Sequence, residues 1–149
     1  MAAGKSTLAQ KLSIKFNAIL LVEDDWLASL YPDEIKTIHE YVNYSSRLKN
    51  LLSKHIVSLL CSGLSVVLDF PANTQEQRKW FRSIIEQANT HHVMHYVDKS
   101  DDICKQQLKI RNKNKADGAA FTSDEEFEKI TQYFQVPNES EGFNILKYV

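Results

Sequence analysis

The sequence has few cysteines and no long apolar run. Its 149 residues include two cysteines, Cys61 and Cys104, which are far apart and lie among apolar neighbours. This excludes a disulfide-rich secreted scaffold, and we expect both to be reduced core thiols of a cytoplasmic protein. No apolar segment approaches the length of a membrane-spanning helix, and the first residues lack the charged and apolar regions of a signal peptide.

The chain also lacks a strong charge of one sign, internal repeats and low-complexity segments. Its formal net charge is -1, from 18 basic and 19 acidic residues. Because nucleic-acid-binding domains need a basic face, this balance argues against nucleic acid as a partner. The apolar fraction of 43% and the length suit a single globular domain over residues 1–149.

The most informative stretch is Gly4 to Thr7, Gly-Lys-Ser-Thr, which leads into a helical apolar pattern over residues 6–16. It matches the second half of the P-loop pattern G-x-x-x-x-G-K-[ST]. A glycine lets the backbone approach a polyphosphate, and the N–H groups that follow lie where the helix dipole favours an anion. In this pattern Lys5 contacts the β- and γ-phosphates and the Ser6 hydroxyl binds Mg²⁺. The alternative is an exposed helix N-terminus without a ligand.

The first half of the P-loop pattern is absent. Its first glycine would lie ahead of Met1, and so would the strand that leads into the loop. We therefore hypothesise that the chain is an N-terminally shortened form of a longer one. A missing central strand would leave a gap of ~10 Å between its neighbours. The residues encoded upstream of Met1 test this hypothesis.

Strands and helices are predicted to alternate along the chain. Apolar segments typical of strands lie at about 18–23, 65–70, 92–97 and 143–148, with helical patterns between them. This alternation predicts a three-layer α/β fold with a mostly parallel sheet whose first strand is missing.

Helix ends are predicted from capping residues. Residues 26–44 are predicted to be irregular because Pro32 would break a helix, and the helix that follows, from 44 to 62, ends at Gly63. Later helices are expected to begin at the capping boxes Thr74-x-x-Gln77 and Thr122-x-x-Glu125 and, between these, at Asp101 or Asp102.

Carboxylates follow the first two predicted strands. Asp24 and Asp25 come after the first strand, and Asp69 ends the second. In open α/β sheets ligands bind beyond the carboxyl ends of the strands, so these residues are candidate site residues. Each could instead cap a helix. The aromatic residues of the segment 26–47 could line a substrate pocket or fill the core.

In order and spacing, these features resemble the P-loop kinases that include zeta toxins, chloramphenicol phosphotransferase and the kinase half of polynucleotide kinase. Similar chains are often labelled ATP-binding proteins of the AAA type. The resemblance covers nearly the whole chain and rests on four places: Gly4–Thr7, Asp24-Asp25, Asp69 with Asn73, and Leu108-x-x-Arg111-x-x-x-Lys115.

The resemblance implies a phosphotransferase that uses ATP and Mg²⁺ and acts on a small hydroxylated acceptor. It makes Asp24 the general base, with Asp25 able to exchange roles with it. It assigns Mg²⁺ to Ser6, and Asp69 would either hold Mg²⁺ through water or orient the acceptor. Asn73 would lie near the acceptor. Arg111 and Lys115 would contact the transferring phosphate from a lid at 111–121, and the nucleotide would bind at Gly4, Lys5, Ser6 and Thr7.

Two residues depart from the family pattern. Lys115 stands where relatives carry an arginine, and a lysine lacks the bidentate fork. Leu27 stands where polynucleotide kinases carry a substrate-binding arginine, which argues against a nucleic-acid end as the acceptor. The alternatives to a kinase are a nucleotide-binding ATPase or switch without an acceptor, and an inactive fragment.

Overall fold

The computed structural model describes residues 3–114 and 123–149. Helices and strands alternate along these residues, as the apolar pattern predicts. The helices are α1 Lys5–Lys15, α2 Glu23–Leu30, α3 Ile38–Cys61, α4 Gln75–Ala88, α5 Asp101–Lys113 and α6 Asp124–Thr131. The strands are β1 Ile19–Val22, β2 Val66–Asp69, β3 Met94–Val97 and β4 Ile145–Tyr148, and a short 3-10 helix covers Glu139–Glu141.

The strands form two parallel pairs. β1 pairs with β2, from Ile19 opposite Val66 to Val22 opposite Asp69. β3 pairs with β4, from Met94 opposite Ile145 onward. Within the described residues no ladder joins one pair to the other. The predicted mixed α/β fold with parallel strands is confirmed.

The segment predicted to be irregular, residues 26–44, is largely helical. α2 begins directly after β1, and its first three residues are acidic, which the helix dipole favours at this end. It ends at Leu30, two residues before Pro32, so the proline terminates the helix instead of preventing it. α3 begins at Ile38, earlier than predicted, because Thr37 and Glu40 form a capping box.

The other predicted helix ends are partly right. Gly63 follows the end of α3 in a left-handed conformation with φ of 84°, and Thr74 and Gln77 form the predicted capping box. The caps of the last two helices are wrong by one or two residues. Ser100 caps α5, and Ser123 pairs with Glu126 in the box that opens α6. Thr122 lies outside the described residues.

The chain divides into two compact units, and the prediction of one domain over 1–149 stays a prediction. The β1–β2 unit comprises Ser6–Pro71 and Trp80–His91, and the β3–β4 unit comprises Met1–Lys5, Ala72–Lys79 and His92–Val149. The core of the β1–β2 unit consists of Leu21, Leu27, Leu48, Leu52, Ile56, Phe70 and Ile84, and that of the β3–β4 unit consists of Cys104, Leu108 and Phe127.

The two cysteines have different environments. Cys104 is buried in the core of the β3–β4 unit, as expected, whereas Cys61 is exposed in the last turn of α3. The prediction that Cys61 is a core thiol is therefore wrong. In the described part of the chain, every helix is too short or too polar to span a bilayer.

Candidate functional site

The Gly-Lys-Ser-Thr segment forms the start of α1. Gly4 has a φ of 86°, a left-handed conformation that residues with a Cβ rarely adopt, and the helix begins at Lys5. Gly4, Lys5, Ser6 and Thr7 are all exposed. The first N–H groups of a helix have no partner within the helix, so this turn offers backbone donors beside an ammonium group and two hydroxyl groups.

A second lysine approaches the same turn. The Nζ atom of Lys99, two residues beyond the end of β3, lies 3.8 Å from the position that a Cβ on Gly4 would occupy. Because Gly4 has no side chain, the ammonium group comes close to the backbone just before α1. A cation at the positive end of a helix dipole is unfavourable unless an anion joins it, so this arrangement favours an anionic ligand.

The Asp24 and Asp25 side chains lie on the first turn of α2 and are exposed. The N-cap of α2 is Val22, which makes no side-chain capping bond. The alternative interpretation of Asp24 as a helix cap is therefore wrong. Both carboxylates stand next to the carboxyl end of β1, where the general base was predicted.

The parallel register brings the second strand end to the same edge. Val22 is opposite Asp69, and Asp24 follows Val22 by two residues. Neighbouring strands are about 4.8 Å apart, so Asp24 and Asp69 belong to adjacent strand ends at one sheet edge. Asp69 is buried, with 5% of its surface exposed. Asp24 and Asp69, which are far apart in the sequence, therefore lie at the same end of the β1–β2 pair.

The loop after β2 is held by hydrogen bonds that the backbone of Asn73 makes. The Asn73 N–H donates to Gln77 Oε1 at 2.8 Å, and the Asn73 carbonyl accepts from the N–H of Gln135 at 2.8 Å. Asn73 is therefore fixed in the β3–β4 unit, with its side chain half-buried. Its predicted role near the acceptor stays a prediction.

The predicted lid is described only at its beginning. Arg111 lies in the last turn of α5 with an exposed side chain. Lys115 and the rest of the predicted lid, to residue 121, lie outside the described residues. Contact between either cation and a transferring phosphate stays a prediction.

A buried carboxylate that the sequence pattern did not reveal lies immediately before Asp24. Glu23 has no exposed surface, and its carboxylate accepts hydrogen bonds from the Tyr41 hydroxyl at 2.6 Å and from the Ser45 hydroxyl. Burial and the neighbouring Glu23 carboxylate raise the pKa of Tyr41 far above its usual value, so Tyr41 remains a donor. Burial lowers the pKa of Lys49, while the charge of Glu23 opposes that shift.

A second missed residue is Arg78, which is completely buried at the start of α4. Its Nε donates to Glu141 Oε1 at 2.6 Å, and one terminal nitrogen donates to the carbonyl of Ala72 at 2.8 Å. These bonds connect the loop after β2 to the 3-10 helix within the β3–β4 unit. A charged residue in a polar helical segment gives no local sign of burial, and its partner is far away in sequence.

The described side chains contain no cluster of three His, Cys, Asp or Glu residues suited to hold a metal ion. Mg²⁺ does not need such a cluster, because it binds through one or two protein oxygens, waters and substrate phosphates. The Ser6 hydroxyl and the Asp69 carboxylate are oxygen donors of this kind. The donors at the start of α1 suit a polyphosphate, since they combine backbone N–H groups with an ammonium group.

A family model described as "AAA domain" matches residues 1–137, which is most of the chain. The chain belongs to this family. This AAA domain protein is P-loop kinase-like, as its sequence motif and order of elements predict. No curated protein matches its sequence.

A solved structure of a candidate kinase from Chloroflexus aurantiacus J-10-fl is similar to the AAA domain protein. The TM-score is 0.73 at 18% sequence identity, and the match covers 99% of this chain and 79% of the other. At this identity the similarity establishes the fold, which agrees with the family match.

Proposed function

We propose that this AAA domain protein transfers the γ-phosphoryl group of ATP to a small hydroxylated acceptor. The observation that carries the proposal is the β1–β2 register, in which Val22 is opposite Asp69 and Asp24 follows two residues later. This register supports the placement of the Asp24 and Asp69 carboxylates at one edge of the sheet. The family is P-loop kinase-like, and such a pair suits phosphoryl transfer.

In this proposal the nucleotide binds at the start of α1. The backbone N–H groups from Gly4 to Thr7 donate to the phosphate oxygens, and Lys5 neutralises charge on the β- and γ-phosphates. The left-handed Gly4 supports this role, because the backbone there carries no Cβ that would block a phosphate. Ser6 and Asp69 would hold Mg²⁺, which would supply positive charge against the phosphates.

Asp24 acts as the general base. Its carboxylate accepts the proton of the acceptor hydroxyl as that oxygen bonds to the γ-phosphorus and the bond to the bridging oxygen of ADP breaks. Asp25 and Asn73 orient the acceptor, which the segment 26–47 binds. Arg111 and Lys115 stabilise charge on the transferring group.

The test compares Asp24→Asn with Asp25→Asn. Transfer is measured as ADP formation with Mg²⁺, ATP and a panel of sugars, nucleosides and amino alcohols, and ATP affinity is measured by calorimetry. We expect Asp24→Asn to lose transfer by at least ~100-fold with unchanged ATP affinity, because a general base contributes about 10²- to 10⁴-fold. Asp25→Asn should lose much less.

The alternatives give different results. If the wild-type protein hydrolyses ATP but no acceptor accelerates ADP formation, the protein is an ATPase or switch. If ATP does not bind at all, the chain is inactive as it stands. Equal turnover in Asp24→Asn and wild type would contradict the role of Asp24 directly.

A further inference from the structure

We propose that Glu23 is a positioning residue, whose buried carboxylate fixes the rotation of α2 and thereby the direction of the Asp24 side chain. The proposal rests on the proposed function, because positioning matters only if Asp24 acts as a base. Glu23 does not contact the reacting atoms in this scheme. It acts through its neighbour.

The partners of Glu23 form one row on α3. Tyr41, Ser45 and Lys49 are spaced by four residues, so they lie one above another along the helix. Tyr41 and Ser45 donate hydrogen bonds to the two different oxygens of the carboxylate. Lys49 is half-buried, and the charge of Glu23 opposes the lowering of its pKa that burial causes. The carboxylate is therefore constrained in both position and orientation.

A second contact, made by Leu27, fixes the rotation of α2 about its own axis. Leu27 lies one turn after Glu23 on the same face of α2, and it packs in the core with Leu48 and Leu52 of α3. Two anchors on one face fix a helix about its axis. Asp24 follows Glu23 by one residue, which is a rotation of about 100°, and its side chain is exposed. The buried face of α2 thus determines where the exposed carboxylate points.

Stability alone does not explain a carboxylate at this position. Removing a charged group from water costs several kcal/mol, and apolar residues that fill the same volume are often at least as stabilising. A leucine at residue 23 would extend the apolar core that already contains Leu21 and Leu27. Directional hydrogen bonds provide what apolar packing does not, a defined rotation of α2 about its own axis.

Among the residues that the structure describes, no other side-chain anchor of this kind holds the start of α2. Val22, its N-cap, makes no capping bond, and the first-turn residues Asp24 and Asp25 are exposed. Within the described residues, the hydrogen bonds from Tyr41 and Ser45 to Glu23 connect this turn to α3 through polar side chains.

The test uses three variants that remove the network in steps. Tyr41→Phe and Ser45→Ala each delete one hydrogen bond to Glu23, and Glu23→Gln removes the charge while keeping the shape. The controls are Glu86→Gln, at an exposed carboxylate of α4, and Ser58→Ala, at an exposed serine of α3. Neither control residue has a proposed role in the site.

Two quantities are measured for each variant: amide hydrogen exchange over residues 23–30, and kcat and KM for MgATP turnover with water or the best acceptor of the panel. We expect Tyr41→Phe and Ser45→Ala to exchange faster in α2 and to lose about 10-fold in kcat, with KM for ATP unchanged. A displacement of 1 Å at a reacting group can cost up to about 100-fold. The controls should behave as wild type.

The double variant Glu23→Gln/Tyr41→Phe tests whether the two residues act together. Its loss of kcat should be smaller than the two single losses combined, because both changes disrupt one network.

Each outcome decides one point. Unchanged exchange in α2 for Tyr41→Phe and Ser45→Ala would overturn the positioning role. Faster exchange with unchanged kcat would show that the anchoring does not affect catalysis, which also overturns the proposal. If the wild-type protein has no turnover, the proposed function fails, whereas the exchange data still decide whether Glu23 fixes α2. If Glu23→Gln does not fold, the two α3 variants carry the test alone.

Discussion

Arg78 and Glu141 form a buried ion pair, with 2.6 Å between Arg78 Nε and Glu141 Oε1. The arginine side chain has no exposed surface and that of the glutamate is 13% exposed. Arg78 also donates to the carbonyl of Ala72, so one side chain connects the loop after β2 to the 3-10 helix. We therefore expect this connection to contribute to the stability of the β3–β4 unit.

Breaking the pair should be costly. Arg78→Met leaves the Glu141 carboxylate without its partner, and we expect the free energy of unfolding to fall by about 3–5 kcal/mol. The matched control is Lys79→Ala on the same helix, which removes the exposed pair of Lys79 with Glu76. That change should cost less than about 1 kcal/mol. Urea unfolding of both variants measures the difference, and equal losses would contradict the importance of the buried pair.

The pair should also make stability depend on pH. The hydrogen bond from Arg78 holds the pKa of Glu141 below its ordinary value of 4.5, so the folded state binds this proton less readily than the unfolded state. The stabilisation is therefore complete above the ordinary value and is lost as pH falls through the folded value. Glu141→Gln should be less stable than wild type at neutral pH, and the difference should shrink in acid. Unfolding measured across this range checks the sign, and a constant difference would contradict it.

The left-handed Gly4 should matter more for ligand binding than for stability. Gly63 has nearly the same φ, 84° against 86°, and an added Cβ there would meet nothing within 4 Å. Gly63→Ala is thus a matched control for Gly4→Ala, since each should cost about 1–2 kcal/mol in backbone strain. We expect only Gly4→Ala to weaken MgATP binding, by at least ~10-fold in calorimetric titration. Equal affinities in the two variants would remove Gly4 from the site.

Arg111 should contribute to turnover and not to ATP affinity. Removing one donor that stabilises charge in the transition state costs about 10²- to 10³-fold in kcat. We expect this loss in Arg111→Ala, whereas Lys109→Ala, another exposed cation on α5, should retain wild-type turnover. Steady-state kinetics with MgATP decide between them. A loss of the same size in both variants would mean that the total charge of α5 matters and the position of Arg111 does not.

The fold was predictable where the signal is local or periodic. The apolar runs that became β1 and β2 are short and continuous. The predicted apolar face of α3 contains Leu48, Leu52 and Ile56, which are buried, but Leu51, predicted on the same face, is 69% exposed. The capping box at Thr74 is formed as predicted because its two residues are only three positions apart. Such features need no knowledge of the rest of the chain.

Helix starts were predictable only to within one or two residues where several caps compete. Thr122-x-x-Glu125 and Ser123-x-x-Glu126 are overlapping capping boxes, and the structure uses the second one. Similarly, Ser100 precedes two aspartates that are equally good caps by type. Sequence pattern does not distinguish these registers, because the choice depends on which apolar residues the helix must bury.

The buried polar residues of the site were not predictable from local pattern. The apolar pattern places Glu23 at the end of the first predicted strand, 18–23, and does not indicate that its carboxylate is buried against α3. One signal could have revealed it: Tyr41, Ser45 and Lys49 recur every four residues on α3 and so form a polar stripe that needs a partner. Arg78 offered no such signal, because its partner Glu141 is distant in the chain.

The register of β1 with β2 has a consequence for how relatives can diverge. The pairing of β1 with β2 places Asp24 and Asp69 at the same edge of the sheet. A shift of the strand register by one residue would turn Asp69 to the opposite face of the sheet. The connection between these strands, which contains α2 and α3, is under no such constraint on its length. If the proposed function holds, acceptor preference can therefore change through insertions and deletions in this crossover without moving Asp24 and Asp69 apart.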